Sequence, residues 1–136
     1  MTVLTLVTAD KVNIVETNEQ LTLPAAEAIT AGDVIRIDTS TGKFTKGNGT
    51  STAEARGKWV STKTVVAGQG LTGIKKGVMD GWDLSGLAYD ADVYMSDTDG
   101  KLDTAAGTVS TKVGRVIAGT GTTLGTAYDK LLMVDL

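Results

Sequence analysis

The 136-residue sequence predicts an all-β fold: a small β-barrel or sandwich of two weakly repeated hairpin-plus-strand units, with an extended N-terminal arm and very little helix. Three observations predict it. Eight glycines fall between Gly42 and Gly77. In a helix interior each costs about 1 kcal/mol relative to alanine, about 8 kcal/mol in all, against a whole-domain stability of about 5–15 kcal/mol. A helical reading of that stretch therefore loses. Short Val/Ile/Thr runs recur between Gly, Asp and Asn turns, which is the composition of strands. Finally, the chain aligns with itself: Asp33-Val34, Gly42-Lys43-Phe44 and Gly57-Lys58-Trp59-Val60 answer to Asp92-Val93, Gly100-Lys101-Leu102 and Gly114-Arg115-Val116-Ile117.

Taken in chain order, residues 1–23 lie outside the repeat and are Thr-rich and extended in pattern, so they read as an arm or a first strand. A single β domain then spans 24–136. Ala25-Ala26-Glu27-Ala28-Ile29 follows Pro24, a residue tolerated in the first turn of a helix, and reads as one helical turn. Strands are predicted over 34–38, 57–61, 64–67, 74–79, 93–96, 113–118 and 131–136. In the first, Ile35 and Ile37 share one face and Val34, Arg36 and Asp38 the other, the alternation of a half-buried strand. Leu131-Leu132-Met133-Val134 is apolar on both faces, which predicts a central strand. The repeat units, about 28–66 and 87–124, each read as strand, polar turn, Gly-Lys, short strand, loop and Gly-basic-apolar strand. Thr39-Ser40-Thr41-Gly42 and Asp97-Thr98-Asp99-Gly100 supply turn residues that accept positive φ.

Composition excludes several functions. The chain has no Cys and no His. That removes disulfides, thiolate nucleophiles, zinc fingers, imidazole bases and Ser-His-Asp triads. A net charge of −3 argues against nucleic acid as a partner, since phosphate neutralisation needs a basic surface. No apolar run approaches the roughly 20 residues of a membrane helix, so no membrane partner is expected. The apolar stretch from Met1 to Val7 lacks a preceding basic region, and Asp10 and Lys11 follow it closely. The expectation is a chain that stays where it is made or travels within a larger particle.

The chemistry-bearing constellations are weak. Asp97-Thr98-Asp99-Gly100 with Asp103 has part of a calcium-loop pattern, but the six to eight oxygens of such a site are not supplied. A hairpin turn explains the same residues. Gly68-Gln69-Gly70-Leu71-Thr72-Gly73 matches G-x-G-x-x-G, yet Ile74-Lys75-Lys76-Gly77-Val78 continues it as a strand, where a dinucleotide site needs a helix. A glycosidase would need paired acids in a cleft, and the aromatic platforms of sugar sites are few. Trp59 and Trp82 read as core or interface anchors. Charge is uneven: residues 1–79 carry nine bases and seven acids, residues 80–136 four bases and nine acids. Complementary faces meeting across a subunit boundary, through Lys75, Lys76, Asp80 and Asp83, would use that asymmetry.

Several segments together resemble a known family. They are the run from Leu21 through Pro24 and Glu27 to Asp33-Val34, the run Gly77-Val78-Met79-Asp80-Gly81-Trp82-Asp83-Leu84-Ser85-Gly86-Leu87, and Ala91-Asp92-Val93-Tyr94-Met95-Ser96. The ending Val113-Gly114-Arg115-Val116-Ile117, then Asp129 to Leu136, completes the set. In order and spacing they resemble the tailed-bacteriophage capsid decoration (cement) proteins, over roughly residues 20–136. The resemblance implies a β-rich, homotrimeric structural protein of the virion. It would bind the outer capsid surface after synthesis in the bacterial host cytoplasm, and clamp major capsid protein subunits against internal DNA pressure. It implies no enzyme activity, catalytic residue, cofactor or metal. The other readings are a tail-tube or head-fibre component, or a carbohydrate-binding surface module. Contacts with the capsid or between subunits are expected at Val3, Leu4 and Leu6 of an arm able to add a strand to a sheet edge, and at Trp59 and Trp82.

Overall fold

A computed structural model describes residues 2–57, 59–119 and 130–136. Lys58 of the first repeat, residues 120–124 of the second, and Tyr128 and Asp129 lie outside the described residues. The chain is all-β, with no helix among the described residues. Its strands are β1 (Asn13–Pro24), β2 (Val34–Ile37), β3 (Phe44–Lys46), β4 (Trp59–Ser61), β5 (Gly70–Asp80), β6 (Asp92–Met95), β7 (Leu102–Asp103), β8 (Lys112–Ala118) and β9 (Lys130–Asp135). They form one curled antiparallel sheet in the order β3-β2-β4-β5-β9-β8-β6-β7, with β1 on the remaining edge of β5.

The internal repeat becomes topology. β2 lies between β3 and β4, and β6 lies between β7 and β8. Each unit is therefore a hairpin with a third strand on its other side, and the two flank the β5–β9 pair. The hairpin turns use Gly42 (φ 71°) and Gly100 (φ 76°), a backbone conformation that favours glycine. The copies also interlock: Val34 N–H donates to Gly100 C=O at 2.9 Å, and Gly100 N–H donates to Gly47 C=O at 2.7 Å.

β5 organises the rest. β1 runs antiparallel along nearly its whole length, from Asn13 opposite Asp80 to Pro24 opposite Gly70. Its other edge is shared: Ile74 and Gly73 face β4, while residues from Lys76 to Met79 face β9. At the changeover Lys75 has no opposite residue on β1, because Glu19 pairs with Lys76 and Gln20 with Ile74. One extra residue in a strand inverts which side chains face which way. Leu71 therefore packs into one core and Met79, an even number of residues on, into another.

The larger core gathers Leu4, Val34, Val60, Ile74, Met79, Trp82, Met95, Leu132 and their neighbours. The smaller holds Ala25, Ile29, Ile35, Phe44, Val65 and Leu71. β2, β4 and β5 stand as a wall between them. Val34 faces the larger core and Ile35 the smaller. This corrects the half-buried reading of 34–38: both faces are dry at Val34 and Ile35, and solvent is reached only from Arg36 on, with Ile37 the most open strand residue at 41% exposed. Two further local expectations fail. Residues 25–29 make no helical turn, because Ala25 bridges Phe44 and Ile29 bridges Val65. Residues 64–67 contribute only that Val65 bridge and no strand. At 25–29 backbone partners elsewhere in the chain outcompete a weak helical preference, and at 64–67 a turn, with Gln69 N–H donating to Val66 C=O and Gly68 at φ 90°, ends the pairing after one bridge. The expected central strand at 131–136 is β9, between β5 and β8 and buried from Lys130 to Leu132.

Candidate functional site

The N-terminal residues are threaded into the body. Leu4 N–H donates to Leu102 C=O at 2.9 Å, and Thr104 N–H donates to Thr2 C=O at 3.0 Å. Further along, Asp83 N–H donates to Thr5 C=O at 2.8 Å and Val7 N–H to Gly81 C=O at 2.7 Å. Val3 bridges Asp103 and Leu6 bridges Trp82. The segment thus spans from β7 to the chain just after β5, meeting backbone groups that would otherwise be unpaired. Alternation places Leu4 in the core, 9% exposed, with Thr5 outward and Leu6 half-buried.

Four of the five sequence-derived contact candidates come together here. Val3, Leu4, Leu6 and Trp82 line a hollow of about 330 Å³ whose polar floor is Asp33 and Lys101. Trp82 is 4% exposed, so it is a core anchor. Trp59 stands elsewhere, half-buried on β4, its ring 5.5 Å from Phe44 at 59° beside the smaller core.

Asp33 is the buried acid of this site. Lys101 Nζ donates to its Oδ1 at 3.0 Å, and Thr30 N–H donates to Oδ2 at 3.0 Å. Burial nonetheless pushes its carboxyl above the ordinary carboxylate value; the Thr30 hydrogen bond and Lys101 offset only part of that shift. Asp103, also buried, accepts from Thr2 N–H (2.9 Å), Ala105 N–H (3.1 Å) and Ser96 Oγ–H (3.2 Å). Both acids are occupied in holding chain segments together. Asp97 accepts from Thr108, and Asp99 from Asn48 Nδ2 at 3.1 Å, so the acidic turn serves the hairpin. Among the described residues no three Asp or Glu gather as a metal-ligand set. Gly68 turns with φ 90° into β5, which carries the remainder of the G-x-G-x-x-G run as a strand.

Of the charges expected at a subunit boundary, both lysines lie near acids of the same chain: Lys75 lies 3.7 Å from Glu19 and Lys76 3.7 Å from Asp135. Asp83 accepts from the N–H and hydroxyl of Ser85, which holds its carboxyl below the usual range.

Sequence reasoning missed a second surface. Residues 7–20 are exposed throughout except for half-buried Val12. The signal was there: Asn13-Ile14-Val15-Glu16-Thr17-Asn18-Glu19-Gln20 has no apolar alternation, which means a strand with neither face buried. The chain's comparison with family models, with curated proteins and with solved structures finds no match.

Proposed function

We propose that this chain is a non-enzymatic structural protein of a phage virion. It binds the outer surface of the capsid as a homotrimer and stabilises contacts between major capsid protein subunits. The observation that carries the reading is the ordered resemblance of residues 21–34, 77–87, 91–96, 113–117 and 129–136 to capsid decoration proteins. The site chemistry is compatible with it. The buried acids Asp33 and Asp103 serve as structural acceptors, and the chain has no Cys or His for nucleophilic or imidazole chemistry. The partners are the major capsid protein and other copies of this chain; nucleic acid, membrane and cofactors have no part.

The test is co-sedimentation with expanded shells stripped of surface proteins, followed by thermal disruption of the shells. Saturable binding at a fixed ratio to capsid subunits, with a higher disruption temperature, is expected. Shells that sediment without the protein refute the reading. Rings or tubes formed by the protein alone point to a tail-tube component instead, and selective glycan retention to a carbohydrate module.

A further inference from the structure

β2 runs on past its neighbour β4. Ile35 opposite Trp59 is the last pair on that side, while the ladder with β3 continues to Ile37 opposite Phe44. Where β4 stops, a surface hollow of about 320 Å³ opens, lined by Arg36, Ile37, Thr39, Ala53, Arg56 and Trp59. Ile37, 41% exposed, and half-buried Trp59 supply its apolar wall. The Trp59 ring is steadied by Phe44, 5.5 Å away between centroids. The charged side chains of the lining are two arginines and no acid, in a chain whose net charge is −3.

The two guanidiniums have donors to spare. Arg36 Nη2 lies 3.1 Å from Glu54 Oε2, but its Nε is buried without an acceptor. Arg56 is exposed and makes no ion pair among the described residues, whereas Arg115 pairs with Asp90 and Asp92. Asp38, the acid between Ile37 and Thr39, is taken up by its own turn, accepting from Ser40 N–H at 3.0 Å and from the Thr41 hydroxyl at 2.9 Å. A guanidinium is a planar fork of donors that matches a carboxylate. Arginine and tryptophan are also the residues that most often dominate binding surfaces. The free cation therefore sets the sign of the occupant, and Ile37 with Trp59 sets its second feature, an apolar group beside the anion. Size sets the scale. Small-molecule sites run from roughly 300 to 1,000 Å³, so this hollow has room for one or two side chains of another protein. The chain's acidic balance disfavours a polyanion such as nucleic acid.

We propose that this hollow is a docking site for an acidic segment of a partner protein. A carboxylate of the segment engages Arg56, and an adjacent apolar side chain packs on Ile37 and Trp59. Arg36 borders the site, its guanidinium held by Glu54. The site shares no lining residue with the hollow at Leu4 and Trp82. It is independent of the capsid reading, because it is defined by the chemistry of the segment, and shell co-sedimentation judges that reading separately.

The experiment is an NMR titration of the ¹⁵N-labelled full chain with a capped Glu-Leu-Glu peptide at low salt, set against capped Gln-Leu-Gln and against sodium acetate. Saturable shifts of the Trp59 indole N–H and of amides in 36–39 and 53–56, with the Trp82 indole unmoved, are expected. The Gln peptide, and the Glu peptide on Arg56→Gln, bind at least about tenfold more weakly. Thr39→Glu sets a carboxylate on the wall and weakens the Glu peptide likewise; both positions are exposed, and if one variant misfolds the other decides. No saturable shift at millimolar peptide overturns the proposal. So does equal binding of the Gln peptide, or unchanged binding to a folded variant. Acetate that saturates the same signals as tightly as the peptide reveals a simple anion site and overturns docking of a segment.

Discussion

Leu4→Ala tests whether the N-terminal segment belongs to the body of the protein. Leu4 is 9% exposed and packs in the larger core beside Trp82 and Leu102. Truncating a buried leucine to alanine costs about 2–5 kcal/mol. The hollow of about 330 Å³ next to it already limits the contacts that can be lost, which places Leu4 at the lower end, about 2.5 kcal/mol. With an unfolding entropy of about 2.1 cal/mol/K per residue over the chain, that becomes a fall in Tm of about 9 °C. Half-buried Leu6→Ala costs less, about 1 kcal/mol or about 4 °C. Outward Thr5→Ala stays within about 0.5 kcal/mol. Differential scanning calorimetry on the three variants therefore shows an alternating profile, large at 4, small at 5 and intermediate at 6. A flat profile, with Leu4→Ala melting like Thr5→Ala, would refute the docked segment and leave a free arm in its place.

Other predictions concern the acids, the sheet and the tryptophans. Asp33 is held above the ordinary carboxylate value of 3.8 chiefly by burial, so between 3.8 and its own higher value the folded state binds more protons than the unfolded. Its contribution to stability therefore falls as pH rises through that window, and the stability gap between wild type and Asp33→Asn moves against the wild type there and is flat above it. Denaturant melts across the acid range check this, and the pairing with Asn cancels Asp38 and Asp83, whose lowered values act in the opposite sense. Gly114→Ala places a Cβ against the Met133 carbonyl of β9, a backbone atom that cannot yield, and costs at least about 3 kcal/mol. Gly86→Ala, with no atom within 4 Å, is its near-neutral control in the same urea titration. Trp82 is buried and Trp59 half-exposed, so Trp59→Phe leaves blue-shifted emission that acrylamide quenches weakly, while Trp82→Phe leaves the more readily quenched ring.

The positions of most strands were legible because the signals are local. Gly42 and Gly100 end the polar turns at matching places, and the short runs beyond them become β3 and β7. The apolar block 131–134 occupies the centre of the sheet because a strand apolar on both faces must be covered on both. Val3, Leu4 and Leu6 are expected from the sequence as contacts of an arm with a capsid or subunit edge, and Trp59 and Trp82 as core or interface anchors; Leu4 and Trp82 pack in the larger core of this chain. Whether their apolar surface meets this chain or another cannot be read from alternation. The fold turns Leu4 and Trp82 inward.

The amino-acid sequence by itself determined the all-β class, the turns and the two related units, since glycine φ preferences and side-chain alternation act within a few residues. Only the tertiary structure decided that β5 changes partner at Lys75, that β2 separates two cores, and that residues 13–20 stand exposed while residues 2–7 are held in the body. Strand pairing joins residues far apart in the chain. One bulge reverses every face beyond it, so partner and register are settled by which backbone edges and apolar faces meet, and no local pattern carries that information.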